Sequence, residues 1–245
     1  MKGIVPAECV GAYVLLWRLF TLLIGLGLLL VGIGLLGTLL GVRANRATFS
    51  DLQTGLIMAA YYAGYIIGTN LAPRIIRNVG HIRAFAAFAA LVSTILLAFG
   101  LLVQPWVWLV LRVINGLSVL GLYVVVESWL NEQSTGPARG RLFSLYMTTT
   151  LLALGAGQFL LLAGDTSDVT LFALAAILIS VGVIPVAVTR VTEPRIEVAV
   201  PVPFAQLLRI SPLGVVGTFG AGIINGAFWG MTPLFGQTLA LEERQ

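Results

Sequence analysis

Cysteine and histidine are almost missing from this 245-residue chain, with Cys9 and His81 as its single examples. One cysteine excludes a disulfide framework and a CxxC metal site, and with them any visible redox chemistry. Charge is scarce too: 10% of residues are Asp, Glu, Lys or Arg, against 58% hydrophobic residues and a mean hydropathy of +1.00. A soluble globular chain of this length does not carry such a balance, so the composition is that of an integral membrane protein. No HExxH, GxSxG or Walker loop is present, and no Ser/His pair lies within an apolar run. A membrane enzyme is therefore disfavoured, and no cofactor is expected. Alternation of apolar and polar residues is also missing, which excludes a transmembrane barrel built from segments of about 10 residues.

What the sequence does hold is long runs that are apolar on every side, such as TLLIGLGLLLVGIGLLGTLL from Thr21 to Leu40. A hydrocarbon core about 30 Å thick needs roughly 20 such residues per helix. Seven spans are expected, near Leu15–Leu40, Leu52–Ile75, Ile82–Val103, Trp106–Leu130, Leu142–Ala163, Val169–Val188 and Ile210–Gln237. The first is too long for a signal-peptide core and no small-residue cleavage site follows before Arg43, so it reads as a retained anchor.

Basic residues collect on the cytoplasmic side of membrane proteins. Lys2, Arg18, Arg74, Arg77, Arg83, Arg139, Arg141, Arg190, Arg195 and Arg209 fall in one set of alternate connections, and Arg43, Arg46 and Arg244 in the other. Ten against three places the N-terminus in the cytoplasm. The net charge of +4 is then a topology signal and calls for no nucleic acid. His81, in the expected connection between the second and third spans, reads as a wet loop residue and not as a ligand or switch.

One helix carries most of the polar interest. Arg112 and Glu127 are fifteen residues apart, roughly 22 Å along a helix axis and on nearly the same face. Asn115, Gly116, Val119 and Tyr123 lie on or near that face. The stripe sets an arginine in the outer half and a carboxylate near the cytoplasmic end, as expected for the wall of a water-filled path. Two plainer alternatives stand beside it: Arg112 capping carbonyls of a neighbouring helix, and Glu127 pairing with a cytoplasmic arginine. Tyr61, Tyr62, Tyr65, Tyr146, Thr148, Thr149 and Gln158 sit at membrane depth, where hydroxyls and amides need partners. Gly64 with Gly68, and Gly155 with Gly157, read as close helix approaches. In the last span Asn225, Trp229 and Thr232 are candidates for a cavity wall, with Pro233 as a kink.

The patch from Gly68 to Phe85 resembles the loop between the second and third helices of the major facilitator superfamily, on Gly68, Gly80, the basic residues around it and its place between two spans. Arg77 and Asn78 stand where that family usually has Asp and Arg. Leu111-Arg-Val-Ile-Asn-Gly116 is similar to its Arg-x-x-Gln-Gly signature, with Asn115 for Gln. Val124-Val-Val-Glu-Ser128, Gly140-Arg-Leu-Phe-Ser-Leu-Tyr-Met147, Gly157-Gln158 and Ile184-Pro-Val-Ala-Val-Thr-Arg-Val191 look like the YcaD-like subfamily. Leu154-Gly-Ala-Gly-Gln158 lacks the proline of the drug/proton antiporter pattern.

The resemblance implies an all-α membrane fold, with residues 1–190 as a six-helix half made of two inverted three-helix repeats. Residues 191–209 would be a cytoplasmic linker and 210–245 the first helix of an incomplete second half. It implies a secondary transporter of small solutes in the bacterial inner membrane, coupled to an ion or proton gradient. Arg112, Asn115, Tyr123, Tyr65, Gln158, Asn225 and Trp229 would line the path, with Glu127, Arg74, Arg77, Gly80 and Arg83 at the gate. Arg74 or Arg77 is a possible partner for Glu127. An arginine in the path leans towards an anionic or zwitterionic solute. Alternating access needs two halves, so the chain is expected to be a fragment, or a half that pairs with a copy of itself or with a separate second half. A membrane scaffold with no transport of its own is the remaining alternative.

Overall fold

The computed structural model describes residues 7–133, 138–188 and 203–240, with side chains over 20–132, 139–188 and 203–228. Among these the chain is helical and has no strand: α1 (Ala7–Arg46), α2 (Asp51–Val79), α3 (His81–Leu101), α4 (Pro105–Gln133), α5 (Ala138–Phe159, extended by a 3-10 turn Leu160–Ala163), α6 (Thr170–Val188), α7 (Phe204–Ile210) and α8 (Pro212–Ala240). Five stretches are long and apolar enough to cross a membrane: Phe20–Arg46, His81–Leu101, Pro105–Glu132, Arg139–Ala163 and Thr170–Val188. This is a multi-pass membrane protein.

Two of the seven expected spans look different in the structure. α2 has 29 residues, about 43 Å at 1.5 Å per residue, yet its tyrosines, Thr54, Thr69 and Asn70 keep it out of the strongly apolar set. The last span is broken: α7 and α8 qualify only as a pair, bent by 111° at Ser211. Pro212 forces the break, because it disfavours helical backbone in the residue before it, and Ser211 has left the helical region at φ −143°, ψ 72°. The expected linker is helical over residues 204–209, within α7. Lys2, Pro194, Pro201, Arg190, Arg195 and Arg244 lie outside the described residues, as do the side chains of Arg18, Trp229, Thr232 and Pro233.

The turns are set locally. Ser50 and Gln53 form a capping box at the start of α2: the Gln53 N–H donates to Ser50 Oγ (3.3 Å) and the Ser50 N–H to Gln53 Oε1 (3.0 Å). Gly80 alone joins α2 to α3, at φ 87°, a conformation glycine reaches without strain. His81 therefore corrects the expectation of a wet loop. With only one linking residue there is no loop, and the imidazole is carried into the packed interior, 2% exposed and with its ring centroid 6.3 Å from that of Trp129. Arg74, Arg77 and Arg83 flank the same junction and are exposed.

α2 packs chiefly on α4, α1 on α5 and α6, and α3 on α4 and α6. Exchanging α1–α3 with α4–α6 leaves this set of neighbours unchanged, as expected of two three-helix repeats related by a twofold axis. The closest crossings repeat the rule atom for atom. A Cβ on Gly64 would strike the Val113 carbonyl and the Leu117 nitrogen, which lie three before and one after Gly116; a Cβ on Gly157 would strike the Val31 carbonyl and the Leu35 nitrogen, which lie three before and one after Gly34. In return, Gly116 meets the Tyr61 carbonyl and Gly34 the Leu154 carbonyl. These glycines let the helix backbones touch. Gly68 also faces α4 closely, but Gly155 faces open space and makes no close approach.

At one end of the bundle, Arg46 of α1 donates to Asp165, in the turn before α6, at 2.8 Å. The Ser167 hydroxyl and N–H, and then Arg46, hold the Asp165 carboxyl below its ordinary value. A depressed folded pKa contributes stability that is present above the unfolded value and lost as pH falls through the folded one. The difference in Tm between the native chain and Asp165→Asn is expected to be small, because both partners are exposed, and to close as pH drops from 7 to below about 3.9. Thermal melts across that range test it, and a difference that widens in acid contradicts it.

Candidate functional site

The α2–α4 crossing at Gly64 and Gly116 brings Arg112, Asn115 and Tyr61 together, and the equivalent α1–α5 crossing at Gly34 and Gly157 brings Ile33 and Leu154 up to the same space. Between them lies a cavity of ≈ 280 Å³. Its walls are Ile33, Gly34, Leu36 and Gly37 of α1, Met58, Tyr61, Tyr62 and Tyr65 of α2, Arg112, Asn115 and Tyr123 of α4, Leu154 of α5 and Asn225 of α8. Counting from the paired glycines, Arg112 and Asn115 on α4 occupy the places of Leu30 and Ile33 on α1. The repeat symmetry holds in the packing and is broken by the polar groups, which among the six repeat helices come to this wall from α2 and α4 alone.

Arg112 is 9% exposed and Asn115 1%. The guanidinium lies 4.6 Å from the centroid of the Tyr61 ring, a cation–π contact that partly offsets the cost of its burial. Its Nη1 donates to Asn115 Oδ1 at 3.2 Å and its Nη2 to Met58 Sδ at 3.8 Å, the latter a weak acceptor. Arg112 Nε and Asn115 Nδ2 have no partner. No carboxylate lies within ion-pair distance of Arg112 among the described residues. The tyrosines continue the wall, with the Tyr61 and Tyr65 rings 5.0 Å apart and those of Tyr61 and Tyr62 5.5 Å apart.

The expected path residues Arg112, Asn115, Tyr65, Tyr123 and Asn225 thus meet around one cavity. Asn225 Nδ2 donates to the Ala221 carbonyl one turn back on α8, which leaves its Oδ1 for other partners. Gln158 does not join them: it is half-buried on α5 beside the α1 contact. Trp229 falls outside the described side chains. Met58 and the α1 wall are not among the expected path residues, because an apolar residue opposite an arginine carries no signal in sequence; the glycine-rich run from Gly25 to Gly37 is the one feature that could have pointed to α1.

Glu127, far along α4, is exposed and accepts a hydrogen bond from the Tyr146 hydroxyl at 3.3 Å. That corrects the pairing anticipated with Arg74 or Arg77, since neither forms an ion pair with it. The geometry is simple: Tyr146 is brought beside α4 by α5, whereas the arginines project outward from the last turns of α2.

Residues 16–243 match the family model described as Major Facilitator Superfamily. Among curated proteins the chain is similar to the uncharacterized MFS-type transporter YcaD of Escherichia fergusonii (29% identical over 185 residues, 75% of this chain and 48% of that protein). The protein of the same name from Escherichia coli O17:K52:H18 is 30% identical over 188 residues (76% and 49%), and that of Salmonella arizonae 29% over 218 residues (87% and 56%). The chain spans about half the length of these relatives. No solved structure matches it. A match over nearly the whole chain, on a bundle whose helices pack as two exchanged sets of three, makes this protein a member of the Major Facilitator Superfamily, similar to the YcaD transporters.

Proposed function

We propose that this chain forms one half, together with the seventh helix, of a secondary transporter that moves a small anionic or zwitterionic solute by alternating access. The observation that carries the reading is Arg112: a guanidinium nine-tenths buried, with an unpartnered Nε, on the wall of a cavity shared by α1, α2, α4, α5 and α8. A membrane helix does not hold such a charge for packing alone, because burying it costs several kcal/mol that a structural role leaves unrecovered.

Residues 1–190 are the six-helix half, 191–209 the connection and 210–245 the start of the second half, in the bacterial inner membrane with the N-terminus cytoplasmic. Arg74, Arg77, Arg83 and the Gly80 hinge, with Glu127 on α4, form the gate at the cytoplasmic end, and Glu127 is the group through which an ion or proton gradient would act. The second half finds its seat along α8, where Leu213, Val216, Phe219, Ile223 and Ile224 are all exposed.

Flux tests the reading. In proteoliposomes holding both halves under an imposed proton gradient, a mixture of small organic anions and zwitterions is expected to give uptake or efflux that Arg112→Gln abolishes. No flux of any component, with folded protein in the membrane, would remove the transport reading and leave that of a membrane scaffold.

A further inference from the structure

We infer that the cavity binds an organic monoanion with a flat apolar body and no ammonium group, an aryl carboxylate being the simplest member of the class. The inference rests on the transport reading for its purpose, but its chemistry is read from the cavity alone. Arg112 and Asn115 both line the cavity, and each also carries a buried donor without a partner, Arg112 Nε and Asn115 Nδ2. A carboxylate is the matching ligand group for a guanidinium on such a wall, because hydrogen bonds between two charged partners are the strong ones.

The charge balance selects within the anionic class. Among the described residues, Arg112 is a buried cation with no carboxylate partner, and no Asp or Glu lines the cavity. A carboxylate supplies the missing counter-charge. An ammonium group on the same solute would sit in a space of ≈ 280 Å³ that already holds a guanidinium, with no carboxylate among the described lining residues to balance it. A zwitterion is therefore disfavoured against a simple anion of the same size. The rest of the wall sets the shape: Tyr61, Tyr62, Tyr65 and Tyr123, with Leu154 and Met58, make it largely aromatic and aliphatic. That surface rewards a flat apolar body, and the volume falls just below the range of about 300–1,000 Å³ typical of ligand sites, which suits a small one.

Three probes of nearly equal size separate the possibilities: benzoate, the neutral benzamide and the cationic benzylammonium, titrated by calorimetry into the purified 245-residue chain in lipid nanodiscs. Benzoate is expected to bind saturably, benzamide roughly tenfold or more weakly, and benzylammonium not at all. Arg112→Gln is expected to bring benzoate down to the level of benzamide, while Arg112→Lys, which keeps the charge, retains part of the preference. Overturning results are benzamide binding as tightly as benzoate, binding of benzylammonium, an Arg112→Gln variant with unchanged benzoate affinity, or no saturable benzoate binding by chain that is monodisperse and helical. Binding is measured without flux, so the two readings fail separately. Flux of a cation or neutral solute would keep transport and reject the anion site, whereas benzoate binding without flux would keep the site and reject transport.

Discussion

Gly116→Ala is expected to lower the stability of the bundle by about 2–3 kcal/mol, the upper part of the range for overpacking a filled interior. The added Cβ would meet the carbonyl oxygen, carbon and Cα of Tyr61. Those are backbone atoms inside α2, so no side chain can swing aside and the two helices must part. Parting them also draws Tyr61 from under the Arg112 guanidinium, now 4.6 Å from the ring centroid, so the site suffers with the fold. Gly34→Ala is expected to cost a similar amount, because it meets the Leu154 carbonyl at the equivalent crossing.

Gly55→Ala and Gly155→Ala are the controls. A Cβ at either position has no atom within 4 Å, and alanine within a helix is favoured over glycine by about 0.5–1 kcal/mol. Melting temperatures in detergent, followed by the loss of monodisperse protein on heating, should therefore move in opposite directions for the two pairs. Should Gly116→Ala melt with Gly155→Ala, the α2–α4 contact would not be a backbone-to-backbone crossing.

Asn115→Asp is expected to weaken anion binding sharply, and flux with it, while leaving the protein folded. The substitution changes one atom type at a side chain whose Oδ1 already accepts from Arg112 Nη1 at 3.2 Å. A carboxylate there becomes the counter-ion Arg112 lacks, and it replaces the unpartnered Nδ2 donor by an acceptor. The Tm is expected to hold or rise, because a buried charge gains a partner at hydrogen-bond distance. Binding of an anion should fall roughly 30-fold or more, the consequence of losing about 2–5 kcal/mol at a buried charge contact.

Calorimetry with benzoate and flux in proteoliposomes read the loss, and melting reads the fold. A variant that melts normally and still binds as the native chain does would mean that the charge of Arg112 is not what the cavity uses. Arg112→Gln makes the same loss by the opposite route: it removes the buried charge and leaves Asn115 in place. A merely structural Arg112 would show its absence in the melt and not in the binding.

The sequence by itself determined the class of this protein and the position of most of its helices. Long uniform apolar runs have one stable home, a bilayer, and one backbone solution there in which every peptide group is bonded within its own segment. Arg112 could also be singled out, because an arginine within an apolar run is conspicuous at the level of composition. Where the signal is local, as in the Ser50–Gln53 capping box or the Pro212 break, the residues state their own structure.

Only the tertiary structure decided what stands opposite what. The cavity is made by five helices whose contributions are far apart in the chain, and Met58, Leu154 and the α1 glycines enter it through crossing geometry that no single segment encodes. His81 shows the limit from the other side: a residue among arginines reads as wet, yet a one-residue connection turns it inward against Trp129 while its neighbours stay outside. The partner of Glu127 was decided in the same way, by which helix lay beside it, so that a tyrosine of α5 holds the carboxylate for which Arg74 or Arg77 was a possible partner. Hydrophobicity is a property of a segment and survives reading in one dimension, whereas pairing depends on the angle and distance between segments, which packing alone sets.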